Sequence, residues 1–429
     1  MKKGIHILCV TMVVFSLVLS ACGPEVEAID ASSLPRVSDP DADPGEVQAL
    51  VAGNSAFAFD LYQALRATDT NLFYSPYSIS LALAMTYAGA RGETADQMAA
   101  TLHLNLPDED LHQAFNALDT DLASRPEQAV DVDEDQRFQL NIVNAIWGQQ
   151  GYPFLEEFLD LLALNYGAGL RLADFVNAHE AARGEINDWV SRETNQRIED
   201  LLAEGVLDPA TVMVLVNAIY FKAAWQYPFS EPATRPQPFT LLDGTRVDVP
   251  MMSFSEPAQL DYRSGDGYQT VSLPYMGGLA EMVVLLPDEG SFPAFEASLT
   301  AERLVEILAG METRSVALSL PKFEFTNDFN LDEKLPDMGM RDAFDAGLAD
   351  FSGMDGNRLL FISAVIHKAF VSVDEEGTEA AAATAVVMTR SAMILADVEL
   401  TVDRPFIFII RDIPTGTILF IGRVLNPVE

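Results

Sequence analysis

The stretch that most constrains this chain is Glu375-Glu376-Gly377-Thr378-Glu379-Ala380-Ala381-Ala382-Ala383-Thr384, which runs on through Ala385 to Met393. Alanine is the best helix former, so four alanines behind Thr378 read locally as a short helix. Two features oppose that reading. Residues 365–373, which feed the tract, are apolar and β-branched in the manner of a strand, and Gly377 interrupts a helix at its start. In a strand, Thr378, Ala380, Ala382 and Thr384 would share one face, with Glu379, Ala381 and Ala383 on the other. An inward face of small, uncharged side chains lets a segment pass between strands that already pack on a core, where larger ones would overpack it. The tract can be admitted to a sheet.

Around it lie 429 residues, enough for one large mixed domain. The formal charge of -38, from 26 Lys+Arg against 64 Asp+Glu, argues against nucleic acid or an anionic membrane surface as a partner. The first residues speak to the compartment. Lys2 and Lys3 precede an apolar run over 7–19, too short for a membrane span, and Leu19-Ser20-Ala21-Cys22-Gly23 follows. Residues 1–21 therefore read as a secretory signal, and the ending resembles a bacterial lipobox, in which Cys22 is lipidated and becomes the mature N-terminus. The only other cysteine is Cys9, inside the signal, so no disulfide is expected. The resulting expectation is a protein of the cell envelope, held to a lipid bilayer at the outer membrane or cell surface through Cys22.

Residues 22–46, with Pro24, Pro35, Pro40, Pro44 and many acidic side chains, read as a solvated tether. Asp39, Asp41 and Asp43 imitate the start of a calcium loop, but Pro44 stands where its sharp turn needs glycine. Neither a metal nor a cofactor is expected.

Residues 47–429 read as one domain, without a second linker or internal repeat. Leu50, Asn54, Phe57, Leu61 and Leu65 have helical spacing. Residues 71–79 run as a strand that Pro76 turns into a helix, with Ser75 and Ser78 placed to cap it. Strands are expected at 141–147, 281–286, 316–325, 365–373, 406–410 and 418–424, and helices at 154–166 and 181–202. The long apolar run 212–221 predicts a central strand buried on both faces, with Asn217 as its polar interruption. His367 is the matching interruption in 365–373. An α+β domain with more than one sheet follows.

Glu375, Glu376, Gly377, Thr378 and the alanine tract resemble the hinge of the inhibitory serpins. Further similar segments are Asn217-Ala218-Ile219-Tyr220-Phe221-Lys222-Ala223-Ala224-Trp225, Leu320-Pro321-Lys322-Phe323, Ala349-Asp350-Phe351-Ser352-Gly353-Met354 and Asp403-Arg404-Pro405-Phe406, so the likeness runs from about residue 50 to the C-terminus. The resemblance implies the serpin fold, with helices packed on three β-sheets and an exposed reactive-centre loop. It also implies an inhibitor of serine-type endopeptidases that acts as a suicide substrate: the loop is cut, an acyl-enzyme forms, and the hinge inserts into the central sheet. Ser75, Ser78, Asn217 and His367 match the family's polar cluster that controls opening of the slot. Trp225 and Lys322 match the top of the slot, with Lys322 opposite Glu375.

Counting sixteen residues from Glu375 makes Ser391-Ala392 the reactive bond, and a hinge one residue shorter makes it Arg390-Ser391. Serine suits a protease with a small primary pocket, and arginine suits a trypsin-like one. The implied partner is a target serine protease held in a covalent complex, with cysteine proteases as the other class the resemblance admits; the chain is expected to be monomeric.

Two rival readings stand beside this one. A non-inhibitory serpin would act as a binding protein, but such hinges usually carry bulky, charged or proline residues on the inserting face. An enzyme would need a motif that His6, His103, His112, His179 and His367 do not form, and no phosphate loop or nucleophile elbow is present.

Overall fold

The computed structural model describes residues 29–30, 32–129, 132, 138–379 and 395–428. Its strand Met213–Ala224 is buried along nearly its whole length. Met213, Leu215, Ile219, Phe221 and Ala223 join the main core. Val214, Val216 and Ala218 join a second cluster with Trp147, Ile186, Trp189 and Val190 beneath the helix Phe175–Glu193. This period-two division between two cores is why the sequence shows a continuous apolar run.

Seven strands make this sheet, in the order Ile29–Asp30, Leu170–Ala173, Gln139–Gln149, Met213–Ala224, Gly377–Thr378, Ala364–Val373 and Phe323–Asn330. Met213–Ala224 is antiparallel to Gln139–Gln149. Below the two-residue strand Gly377–Thr378 it pairs directly and in parallel with Ala364–Val373, from Val214↔Ala364 to Ile219↔Ala369. Against the inner face lies the helix Pro76–Tyr87, buried from Pro76 through Thr86.

The other strands form one hydrogen-bonded network of ten, so the several sheets of the α+β expectation are present as two networks among the described residues. Two strand groups merge because Glu312–Pro321 pairs with Ala258–Gly265 along its first half and with Arg246–Ser253 at its end.

Three boundaries differ from the sequence reading. The run 316–325 is two strands in different sheets, Glu312–Pro321 and Phe323–Asn330. Pro321 has no N–H for a ladder, and the Lys322 N–H turns aside to Pro250 O at 2.9 Å. The helix expected over 181–202 spans Phe175–Glu193 instead. Asn195 and Gln196 take left-handed backbone conformations that end it (φ 51° and 63°). Finally, the stretch read as a tether is docked where it is described. Arg36 reaches Asp119 and Asn116, each at 2.7 Å, and Val37 N–H donates to Leu164 O at 2.9 Å. Pro44 opens the helix Pro44–Leu65, a first-turn position where its missing N–H costs nothing.

Candidate functional site

The site is built from the strands on either side of Gly377–Thr378 and from the turn leading into them. Asn144, Asn217 and His367 are register partners across three strands, Asn144↔Asn217 and Asn217↔His367. Their side chains meet the N-terminus of the helix Pro76–Tyr87, where Ser75 is the N-cap and its Oγ accepts the Ser78 N–H at 3.2 Å.

The hydrogen bonds fix the histidine tautomer. Ser75 N–H donates to His367 Nε2 at 3.1 Å, so the ring proton sits on Nδ1 and is donated to Asn217 Oδ1. Asn217 Nδ2 in turn donates to Ser78 Oγ at 2.6 Å and to Asn144 Oδ1. Ser78 Oγ donates to Asn144 Oδ1 at 3.1 Å, and Asn144 Nδ2 returns a bond to Ser78 O, also at 3.1 Å. Burial pushes the imidazole of His367 down to about 3. A second ring proton would also face the Ser75 N–H, donor against donor, so the network requires neutral histidine.

The four residues read from the sequence thus converge, and Asn144 completes the cluster. It is the polar interruption of its own apolar strand, the same signal that marked Asn217.

At the top of the slot, Glu375 is 8 % exposed. Lys322 Nζ donates to its Oε2 at 2.9 Å and Thr234 Oγ1 to its Oε1 at 2.8 Å. Burial pushes this carboxyl up, but the two donors outweigh burial and hold it below its usual value. Trp225 Nε1 donates to Asp374 O at 3.0 Å, and Trp225 N–H to Glu376 O at 2.8 Å. The indole stacks on Tyr275, 4.6 Å between centroids. Tyr275 and Thr234 belong to the site without any local sequence pattern to announce them.

The Asp374 carboxylate accepts the N–H groups of Glu376 (2.9 Å) and Gly377 (3.2 Å), closing the turn. The hinge then enters the sheet: Gly377 pairs with Ala224, and Thr378 pairs with Ala223 on one side and Val373 on the other. A Cβ on Gly377 would lie 2.0 Å from Ala223 O, so only glycine fits at this point. Thr378 is 2 % exposed, and its hydroxyl meets Tyr275 OH at 2.8 Å. Glu379 N–H still bonds Ser372 O at 2.8 Å, but its backbone turns left-handed (φ 53°) and the strand Gly377–Thr378 ends before it.

Ala380 to Thr384, the reactive-bond candidates Arg390, Ser391 and Ala392, and Cys22 lie outside the described residues. Among the described residues no group of three or more His, Cys, Asp or Glu is placed to hold a metal, and no helix is long and apolar enough to cross a membrane. His103 meets Asp60 at 2.7 Å and His112 meets Tyr166 OH at 2.6 Å.

A family model described as serpin (serine protease inhibitor) matches residues 52–427. Leukocyte elastase inhibitor A of Rattus norvegicus is 40% identical over 390 residues, covering 89% of this chain and 100% of the relative. An uncharacterized serpin-like protein of Thermococcus kodakarensis is 41% identical over 399 residues, 92% of this chain and 90% of its own length. The crystal structure of the thermophilic serpin tengpin in its native state matches with a TM-score of 0.81 at 31% identity, over 93% of this chain and 99% of tengpin.

Proposed function

Since this chain belongs to the serpin family, protease inhibitors rather than enzymes, we propose that it traps a serine-type endopeptidase by acting as its suicide substrate. The protease's nucleophilic oxygen attacks the carbonyl carbon of Ser391 or Arg390. The peptide bond to the next residue breaks, its nitrogen leaves with a proton, and an acyl-enzyme ester remains. The released hinge then inserts between Met213–Ala224 and Ala364–Val373, carrying the tethered protease along the sheet.

One observation carries this reading. Gly377 and Thr378 already sit in the slot, in a register that leads somewhere definite. Six residues beyond Thr378 is Thr384; six before Ala223 is Asn217, and six before Val373 is His367. Continued pairing would bring Thr384 between the two residues that now hold each other across the slot. Thr378, Ala380, Ala382 and Thr384 would face the main core with small side chains. The parallel pairing from Val214↔Ala364 to Ile219↔Ala369 would be exchanged for two antiparallel ladders, gaining a strand of hydrogen bonds and burial. The uncleaved chain is then a kinetic trap, with its stability set by the barrier to insertion.

The same proposal places the chain in the cell envelope, lipid-anchored through Cys22 after removal of residues 1–21, with the protease as a covalent partner. Metabolic labelling with a fatty acid, lost in Cys22→Ala, tests the anchor.

To test the trap, the full-length protein is mixed in turn with an elastase, a subtilisin and trypsin, then run on denaturing gels. A complex that survives SDS is expected, with a released C-terminal peptide that begins at Ala392 or Ser391. Loop cleavage by every protease with no complex would leave a serpin that only binds.

A further inference from the structure

The hinge stops at Thr378, and the contacts of the next residue supply a reason. Glu379 keeps one ladder bond, its N–H to Ser372 O at 2.8 Å, but its left-handed backbone (φ 53°) does not continue the strand. Its side chain is 7 % exposed, and its carboxylate pairs with the Arg197 guanidinium. Arg197 is half exposed, with its guanidinium 5.9 Å from the centre of the Phe370 ring. It lies in the connection from the helix Phe175–Glu193 to the strand Met213–Ala224. That connection also reaches the far side of the slot, where Lys368 Nζ donates to Glu199 O at 2.7 Å and Asp200 O at 3.4 Å. Leu202 N–H and Asn187 Oδ1 fix its other end at 2.8 Å.

We infer that Arg197 is a positioning residue that holds Glu379 in its left-handed conformation and so keeps the uncleaved hinge from inserting further. This deepens the inhibitory reading and rests on it. The next register position pairs Glu379 with Lys222. To pair there, Glu379 must exchange its left-handed conformation for an extended one, which moves its carboxylate relative to Arg197. Four groups bear on the carboxyl: Arg197 and Lys222 favour its anion, Glu324 opposes it, and the Tyr220 phenol lies close enough to feel its charge. Burial outweighs the two cations and pushes Glu379 up to about 7. The ion pair therefore operates above about pH 7 and fades below it.

The test follows conversion of the uncleaved, full-length protein to a urea-resistant, loop-inserted form on transverse urea gels, which needs no protease. At pH 8.5, Arg197→Ala should convert about two- to fivefold faster than the parent, the scale of a partly exposed ion pair, and Arg197→Lys should restore most of the difference. In a Glu379→Gln background Arg197→Ala should change nothing, and at pH 5.5 the parent and Arg197→Ala should converge. Equal rates at pH 8.5, an undiminished Arg197→Ala effect in the Glu379→Gln background, or no conversion in any variant would overturn the assignment. A parent that converts as expected yet forms no SDS-stable complex would remove the inhibitory reading and leave the role of Arg197 standing.

Discussion

Asn217 and His367 are direct register partners on the two strands that an inserting hinge must part, and a single hydrogen bond joins their side chains. Burial holds the His367 imidazole near 3, against about 6.5 in an unfolded chain. A group depressed in the folded state contributes stability that is present above its unfolded value and is lost as pH falls toward the folded one. The window is therefore about pH 6.5 down to about 3, and the full loss is on the order of 5 kcal/mol. His112, pushed down to about 4 by burial, acts with the same sign. The first urea-unfolding midpoint should fall steadily from pH 7 to pH 4.5, and His367→Gln should flatten that slope. An unchanged slope in His367→Gln would show that the acid sensitivity comes from elsewhere.

Asn144 should matter as much as the residues it joins. It accepts from Asn217 and Ser78 and donates to Ser78 O, so Asn144→Ala removes a bond from each of three groups on these two buried residues. A cost of about 1–3 kcal/mol is expected from unfolding curves. Inhibitory capacity should fall as well, through a shift toward cleavage without trapping. A variant as stable as the parent would mean that the cluster is sustained without this amide.

The cluster was legible where a polar residue interrupts an apolar strand, which is how Asn217 and His367 stood out. Asn144 carried the same signal in a shorter, less apolar run. Tyr275, Thr234 and Arg197 carried none, because each joins the hinge from more than a hundred residues away and none breaks a periodic pattern. Hydrophobic periodicity also ran straight through two boundaries set by backbone detail. One was the change of sheet at Lys322 and the other the left-handed residues after Glu193. Composition marked residues 22–46 as solvated, yet the edge strand Ile29–Asp30, Arg36 and the backbone of Val37 dock the described part, and none of these alters composition.

Lys322 and Glu375 link the strand Phe323–Asn330 to the start of the hinge, across a gap of 53 residues in sequence. Lys322 is 44 % exposed on its side chain, so screening limits the pair to about 0.5–1 kcal/mol. Lys322→Ala should lower the unfolding free energy by that amount and speed spontaneous conversion to the urea-resistant form. Glu375 is held below its usual value, so the contribution is present above about pH 4.5 and vanishes as pH drops through the folded value. A Lys322→Ala deficit that persisted undiminished at pH 3 would argue that the lysine acts through packing instead.

Thr378 offers the most direct separation of cleavage from trapping. Its side chain lies on the buried face, 2 % exposed, against Tyr275. Arginine there would force a guanidinium into a buried position that now holds only a threonine side chain against Tyr275, at a cost of several kcal/mol. Residues 380–392 would be unchanged, so a protease should still cut Thr378→Arg at the same bond and form the acyl-enzyme. Insertion would be too slow to overtake deacylation, and the variant should behave as a substrate, giving cleaved chain and active protease where the parent gives complex. Thr378→Ser, which keeps the hydroxyl and the small volume, should trap as the parent does. If Thr378→Arg still formed SDS-stable complexes in normal yield, entry of the hinge at this position would not be the step that commits the protease.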